Sequence, residues 1–216
     1  MGVGGAIDGS RIAPAYAGPS KSRDPIAWGP RLTDENRPLS LRQSLRQCTW
    51  SDHEALDTLI TALDLSRASG YARFLQVQRD ARAPIEAWLA DNASPQMYPP
   101  AQVALIDADL AALGQPIYPL PRQTFDAPKD GVSGVVWAIA GSSMGNRSIL
   151  ADLRRSSPRF PAAFLADPAM PAFFKAICPR LAKPAKSPAQ LAASIEAARA
   201  VFACFSSAAT ASREIA

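Results

Sequence analysis

Apolar and polar positions follow a helical period through most of this chain, and the pattern changes character near residue 39. Before that point glycine, proline and serine dominate, with prolines at Pro14, Pro19, Pro25, Pro30 and Pro38 and no further proline until Pro84. Residues 1–38 therefore read as an irregular arm, with Trp28 and Leu32 as its apolar anchors. Beyond it, Leu45, Thr49, Leu56 and Ile60 fall on one helical face, with His53 in the middle of the stripe. A second helix is predicted by Tyr71, Phe74, Leu75, Ile85, Trp88 and Leu89, with Gly70 near its start and a kink or break at Pro84. Val103, Ile106, Leu110 and Leu113 predict a third, which Gly114 is placed to terminate. A proline-rich loop over 115–130 precedes one long helix from Gly131 to Arg155, and a short helix follows over Phe173–Leu181. Ser187-Pro188-Ala189-Gln190 is a capping box with proline in the first turn. It opens a last helix with Leu191, Ile195, Ala198, Phe202 and Phe205 on one face. No run alternates as a strand would, so the expectation is an all-α domain over 39–210, flanked by the arm and a short tail at 211–216.

Composition narrows the chemistry. With 216 residues, 48% hydrophobic and 19% charged, the chain can bury the core of one domain. Three cysteines, Cys48, Cys178 and Cys204, form neither a disulfide scaffold nor a CxxC pair. The single histidine, His53, excludes every metal site that needs two imidazoles. One axial bond to an otherwise complete macrocycle remains open to it. The net charge of +4 is mild, and the scattered arginines form no nucleic-acid-binding motif. The longest uncharged run, Gly131 to Asn146, is shorter than the ~20 residues of a membrane span. With no secretory pattern at the start, a cytoplasmic protein without membrane attachment is the expectation.

Two segments carry candidate chemistry. On a helix Asp57 follows His53 by one turn and can accept from one ring nitrogen, which leaves the other as an acceptor. Arg46 lies two turns before His53, ~10 Å along the axis, where it could meet an anionic group of a flat ligand. In the second segment Gly141 and Gly145 share a helical face, and each costs ~1 kcal/mol against alanine. Two explanations fit them: close packing of another helix, or a flat ligand lying against the backbone.

Taken in order, Thr49-x-x-x-His53-x-x-x-Asp57, Asp109-Leu110-x-x-Leu113-Gly114, Gly141-Ser142-x-x-Gly145 and Ala198-Arg199-Ala200-Val201-Phe202 resemble the bacterial, biliverdin-producing haem oxygenase family, in particular its bacteriophytochrome-associated branch. The resemblance spans about residues 39–210. It implies an all-α fold that sandwiches haem between a proximal and a distal helix, and cleavage of haem to biliverdin, Fe²⁺ and CO. His53 would be the iron ligand, Asp57 its hydrogen-bond partner, and Thr49 part of the same cofactor-binding helix. Gly141, Ser142, Gly145 and Asn146 would line the distal side. Arg46 and Lys175 would hold haem propionates. Haem would be both substrate and cofactor, with O2 as co-substrate and a ferredoxin or reductase as external electron donor, since no flavin or nicotinamide fingerprint is present. A phytochrome would be a natural acceptor of the bilin. The chain departs from the family pattern at Asn146, where a second glycine is usual, and at Ser142, where many members carry a carboxylate. Two other functions compete: a haem-binding sensor or carrier on the same fold, and a haem-free helical interaction module.

Overall fold

The computed structural model describes residues 38–115, 121–156 and 159–214, so all but the last residue of the expected arm lies outside it. Among the described residues all regular structure is helical, as expected. The helices are α1 (Leu41–Cys48), α2 (Trp50–Thr61), α3 (Ala68–Asn92), α4 (Val103–Leu113), α5 (Val132–Gly141), α6 (Ser143–Ser156), α7 (Ala163–Ala166), α8 (Ala169–Leu181) and α9 (Pro188–Glu214).

Helix α9 is the axle. It packs against α1, α2, α3 and α5, while α4 lies on α3, α8 on α5, and α7 against both α4 and α6. Its buried face carries Ala197, Ala198, Val201, Phe202, Cys204, Phe205, Ala208 and Ala209. The small residues let neighbouring helices approach closely. The closest approach is made by α5: a Cβ at Gly134 would collide with the Ser194 carbonyl, and one at Gly131 would lie 2.6 Å from the Ala193 carbonyl oxygen. Over Pro188–Ser212 this helix is long and apolar enough to cross a membrane, but here it serves as the core of the bundle. It also continues to Glu214, so residues 211–214 of the expected tail are helical.

Several boundaries follow the sequence closely. Ser40 caps α1 through a reciprocal box with Gln43, and Gly114 ends α4 at φ 63° in the left-handed region. Ser187 accepts from the Gln190 amide, although the Gln190 side chain returns to the amide of Lys186 rather than to that of Ser187. The core face of α3 is also as expected, with Tyr71, Phe74, Leu75, Ile85 and Leu89 buried.

Others need correction. Pro84 does not break α3, which runs uninterrupted through it. The lost backbone bond costs about 3 kcal/mol, and burial of the apolar Ala81, Ile85 and Leu89 around it offsets that. The first predicted helix divides at Thr49 (φ −116°), whose hydroxyl donates to the Leu45 carbonyl at 2.9 Å. Such back-bonding bends helices. The long helix from Gly131 to Arg155 divides into α5 and α6 at Ser142. There the Ser142 and Ser143 hydroxyls donate to the carbonyls of Ile139 and Ala140, at 2.8 and 2.6 Å. Glycine–serine pairs are a recognised cause of sharp kinks. Finally, α8 starts at Ala169, earlier than Phe173, because the Asp167 carboxylate accepts from the amides of Ala169 and Met170 and sets its first turn.

The glycines of α5 and α6 should thus behave oppositely. Gly134→Ala is expected to lower the unfolding free energy by at least about 2 kcal/mol, because two backbones must separate. Gly145→Ala, whose Cβ meets nothing within 4 Å, is expected to raise it by up to about 1 kcal/mol. Chemical denaturation of the ligand-free protein checks both.

Candidate functional site

The site begins at the kink. Thr49 is 1% exposed and its hydroxyl is committed to the Leu45 carbonyl, so it shapes the chain rather than facing a ligand. Arg199 of α9 locks the same corner, donating to the Cys48 carbonyl at 2.9 Å and pairing with Asp52 at 3.6 Å. Past the kink, α2 presents His53. Its Nδ1 lies 3.0 Å from Asp57 Oδ2, as the spacing predicts, and both side chains are about half exposed. Nε2 makes no hydrogen bond among the described residues.

Two aromatic rings set the plane of the imidazole. Trp50 lies nearly parallel to it, 6.3 Å between centroids and 8° between planes, and Phe202 of α9 meets it edge-on at 5.9 Å. Phe202 also meets Trp137 of α5 at 6.4 Å. One ring on the axle therefore touches both the His53 side and the glycine side of the site. Sequence reading placed Phe202 on an apolar face without this role and did not single out Trp50. The spacing of Arg46, Trp50 and His53 on successive turns was the available signal: the Arg46 guanidinium lies 5.8 Å from the Trp50 ring.

On the other side, Gly141 and Gly145 do not serve as a packing groove. A Cβ at Gly141 would meet only the Phe174 ring, at ordinary contact distance of 3.8 Å, and one at Gly145 nothing. Helix–helix contact through glycine occurs instead at Gly131 and Gly134. Asn146 is half-buried, with no side-chain hydrogen bond among the described residues. The Ser142 hydroxyl is engaged: it donates to Ile139 and accepts from Arg82 at 3.0 Å. The Asp109 carboxylate, part of the ordered set of motifs, accepts from the amides of Ala163 and Phe164 and docks α7. Its role is to build the fold.

Arg46 and Lys175, far apart in sequence, come together. Both line an open groove of about 510 Å³ between α1 and α8, with Arg42, Gln43 and Cys178. Arg42 also stacks on Phe174, at 5.8 Å, which links the groove to the ring beside Gly141. Three cations and no carboxylate line this groove, so it suits an anion. No three histidine, cysteine, aspartate or glutamate side chains gather as metal ligands among the described residues. The donor set fits a group that brings its own equatorial ligands and needs one imidazole, a bare backbone surface and a basic edge.

The chain matches no protein-family profile and no curated protein. Among solved structures it is similar to the NO- and CO-bound haem oxygenase from Neisseria meningitidis, with 19% identity and a TM-score of 0.70, over 82% of this chain and 94% of that one. The fold is therefore the all-α haem oxygenase fold.

The hydrogen bond to Asp57 raises the His53 pKa above its ordinary 6.5, against an opposing effect of burial. A group whose value is raised by folding stabilises the fold fully below its unfolded value and loses that contribution as pH rises through the folded one. For so exposed a pair the contribution is under about 1 kcal/mol. Asp57→Asn should therefore lower the His53 titration midpoint, followed by NMR on the only histidine of the chain. An unchanged midpoint would remove Asp57 as its cause.

Proposed function

We propose that this protein is a haem oxygenase, cleaving haem to biliverdin, Fe²⁺ and CO with O2 and electrons from a separate ferredoxin or reductase. The observation that carries this reading is the imidazole of His53, held through Nδ1 by Asp57 with Nε2 making no hydrogen bond among the described residues, sharing the Phe202 ring with α5, whose last residue Gly141 faces only the Phe174 ring and leads to the open Gly145. His53 would hold the haem iron through Nε2. Asp57 keeps the proton on Nδ1 and so preserves the lone pair at Nε2. Trp50 and Phe202 restrict rotation of the ring. Gly141 and Gly145 leave the α5–α6 backbone without side chains, so that a planar ligand could lie against it. Arg46 and Lys175 would pair with the propionates at the groove and fix the ligand's rotation about the iron.

When bound, haem supplies the redox-active iron that activates O2, and its own ring is what is oxidised. The protein contributes placement and a neutral nitrogen donor. Supply of bilin to a bacterial phytochrome in the cytoplasm is the setting that the ordered motifs favour. A second reading, a haem-binding sensor or carrier, draws on Asn146, whose half-buried amide stands where the family usually has glycine.

Haemin titration followed by ascorbate or a reductase in air distinguishes these functions. A one-to-one Soret band that decays to a bilin spectrum supports the oxygenase, and binding without decay supports the carrier. Absence of saturable binding rejects both and leaves the helical interaction module. His53→Ala should abolish the native haem spectrum while leaving helix content unchanged. Gly141→Leu should block turnover or change the bilin isomer, because its side chain would press on the Phe174 ring and cover backbone that glycine leaves bare.

A further inference from the structure

Arg82 of α3 is 1% exposed, yet no carboxylate of the described residues pairs with it directly. Its guanidinium lies against two rings, Phe164 at 5.1 Å and Phe205 at 5.7 Å. Nε donates to Gln78 Oε1 at 3.3 Å and Nη2 to Ser142 Oγ at 3.0 Å, while Nη1 is buried without a hydrogen-bond partner among the described residues. Burial depresses its pKa to about 10, and Glu86 opposes this from a distance. An apolar side chain of similar volume would avoid the desolvation of a cation here. What the cation reaches is the one residue between α5 and α6. Ser142 Oγ accepts from Arg82 and donates its own O–H to the carbonyl of Ile139, in the last turn of α5.

We propose that Arg82 is a positioning residue that pins the α5–α6 joint through the Ser142 hydroxyl and thereby fixes the relative placement of Gly141 and Gly145. The pin acts in the ligand-free protein. Only its consequence for a bound ligand rests on the haem reading. The bond is charge-assisted and its donor is buried, so it adds a tertiary tie to a joint that the serine hydroxyls otherwise hold only locally.

The test uses the full-length chain with Arg82→Met, Arg82→Lys and Ser142→Ala. In the ligand-free protein, amides of residues 139–145 should exchange with solvent deuterium roughly tenfold faster in Arg82→Met and Ser142→Ala. Amides of residues 197–209 in α9 should be unchanged, and Arg82→Lys should restore much of the protection. Ser142 is exposed, so Ser142→Ala keeps the question answerable if Arg82→Met fails to fold. Unchanged exchange at 139–145 in Ser142→Ala overturns the pin. With haemin reduced under CO, a single C–O infrared band in the unaltered protein should become several in Arg82→Met and Ser142→Ala. One unshifted band in both would overturn the link to the glycine face. A chain that binds no haemin would reject the haem reading, and the exchange data alone would then decide the pin.

Discussion

The contact on which the architecture depends is that of two backbones, α5 against α9, with no side chain between them at Gly134. Because Gly131 and Gly134 bring the start of α5 onto Ala193 and Ser194, the helix that carries Gly141 leaves the axle in a fixed direction. The same axle, two turns further on, presents Phe202 to His53 and Trp137. The two halves of the site are therefore referenced to one rigid helix rather than to each other. Each half keeps its own support on that helix.

The site's electrostatics divide by depth. His53 and Asp57 sit half in solvent, where a proton moves on and off with little effect on stability. Arg82 is enclosed, and burial lowers its pKa to about 10, which still leaves it charged at neutral pH. The first pair suits a group that must exchange a proton for a ligand. The second suits a fixed strut. The basic groove lies between these extremes, open and lined by Arg42, Arg46 and Lys175.

Much of the fold was legible in the sequence because local signals and burial agreed. The α4 stripe ending at Gly114 and the proline-and-serine start of α9 are examples. The two broken helices were not legible, since hydrophobic period continues across Thr49 and Ser142 while side-chain hydroxyls compete with the backbone ladder underneath. The opposite error occurred at Pro84, where tertiary burial overrode a local breaker. His53 and Asp57 could be paired from spacing alone, being one turn apart on one helix. Joining Arg46 to Lys175, or Arg82 to Ser142, required knowing which helices meet across 60 or more residues of chain, and no local pattern encodes that. The four glycines of α5, its entry turn and α6 look alike in sequence. Only the neighbouring backbone separates those that hold helices together from those that stand open.

That separation has an evolutionary consequence. At Gly134 any side chain is purged by the fold itself, whatever the protein does. At Gly145 the fold exerts no such pressure, and helix propensity favours drift toward alanine. The architecture can thus outlive its chemistry within a lineage, because the open face is the part that mutation erodes first. At such a position a requirement for glycine would have to come from something that lies on it, since the fold makes none.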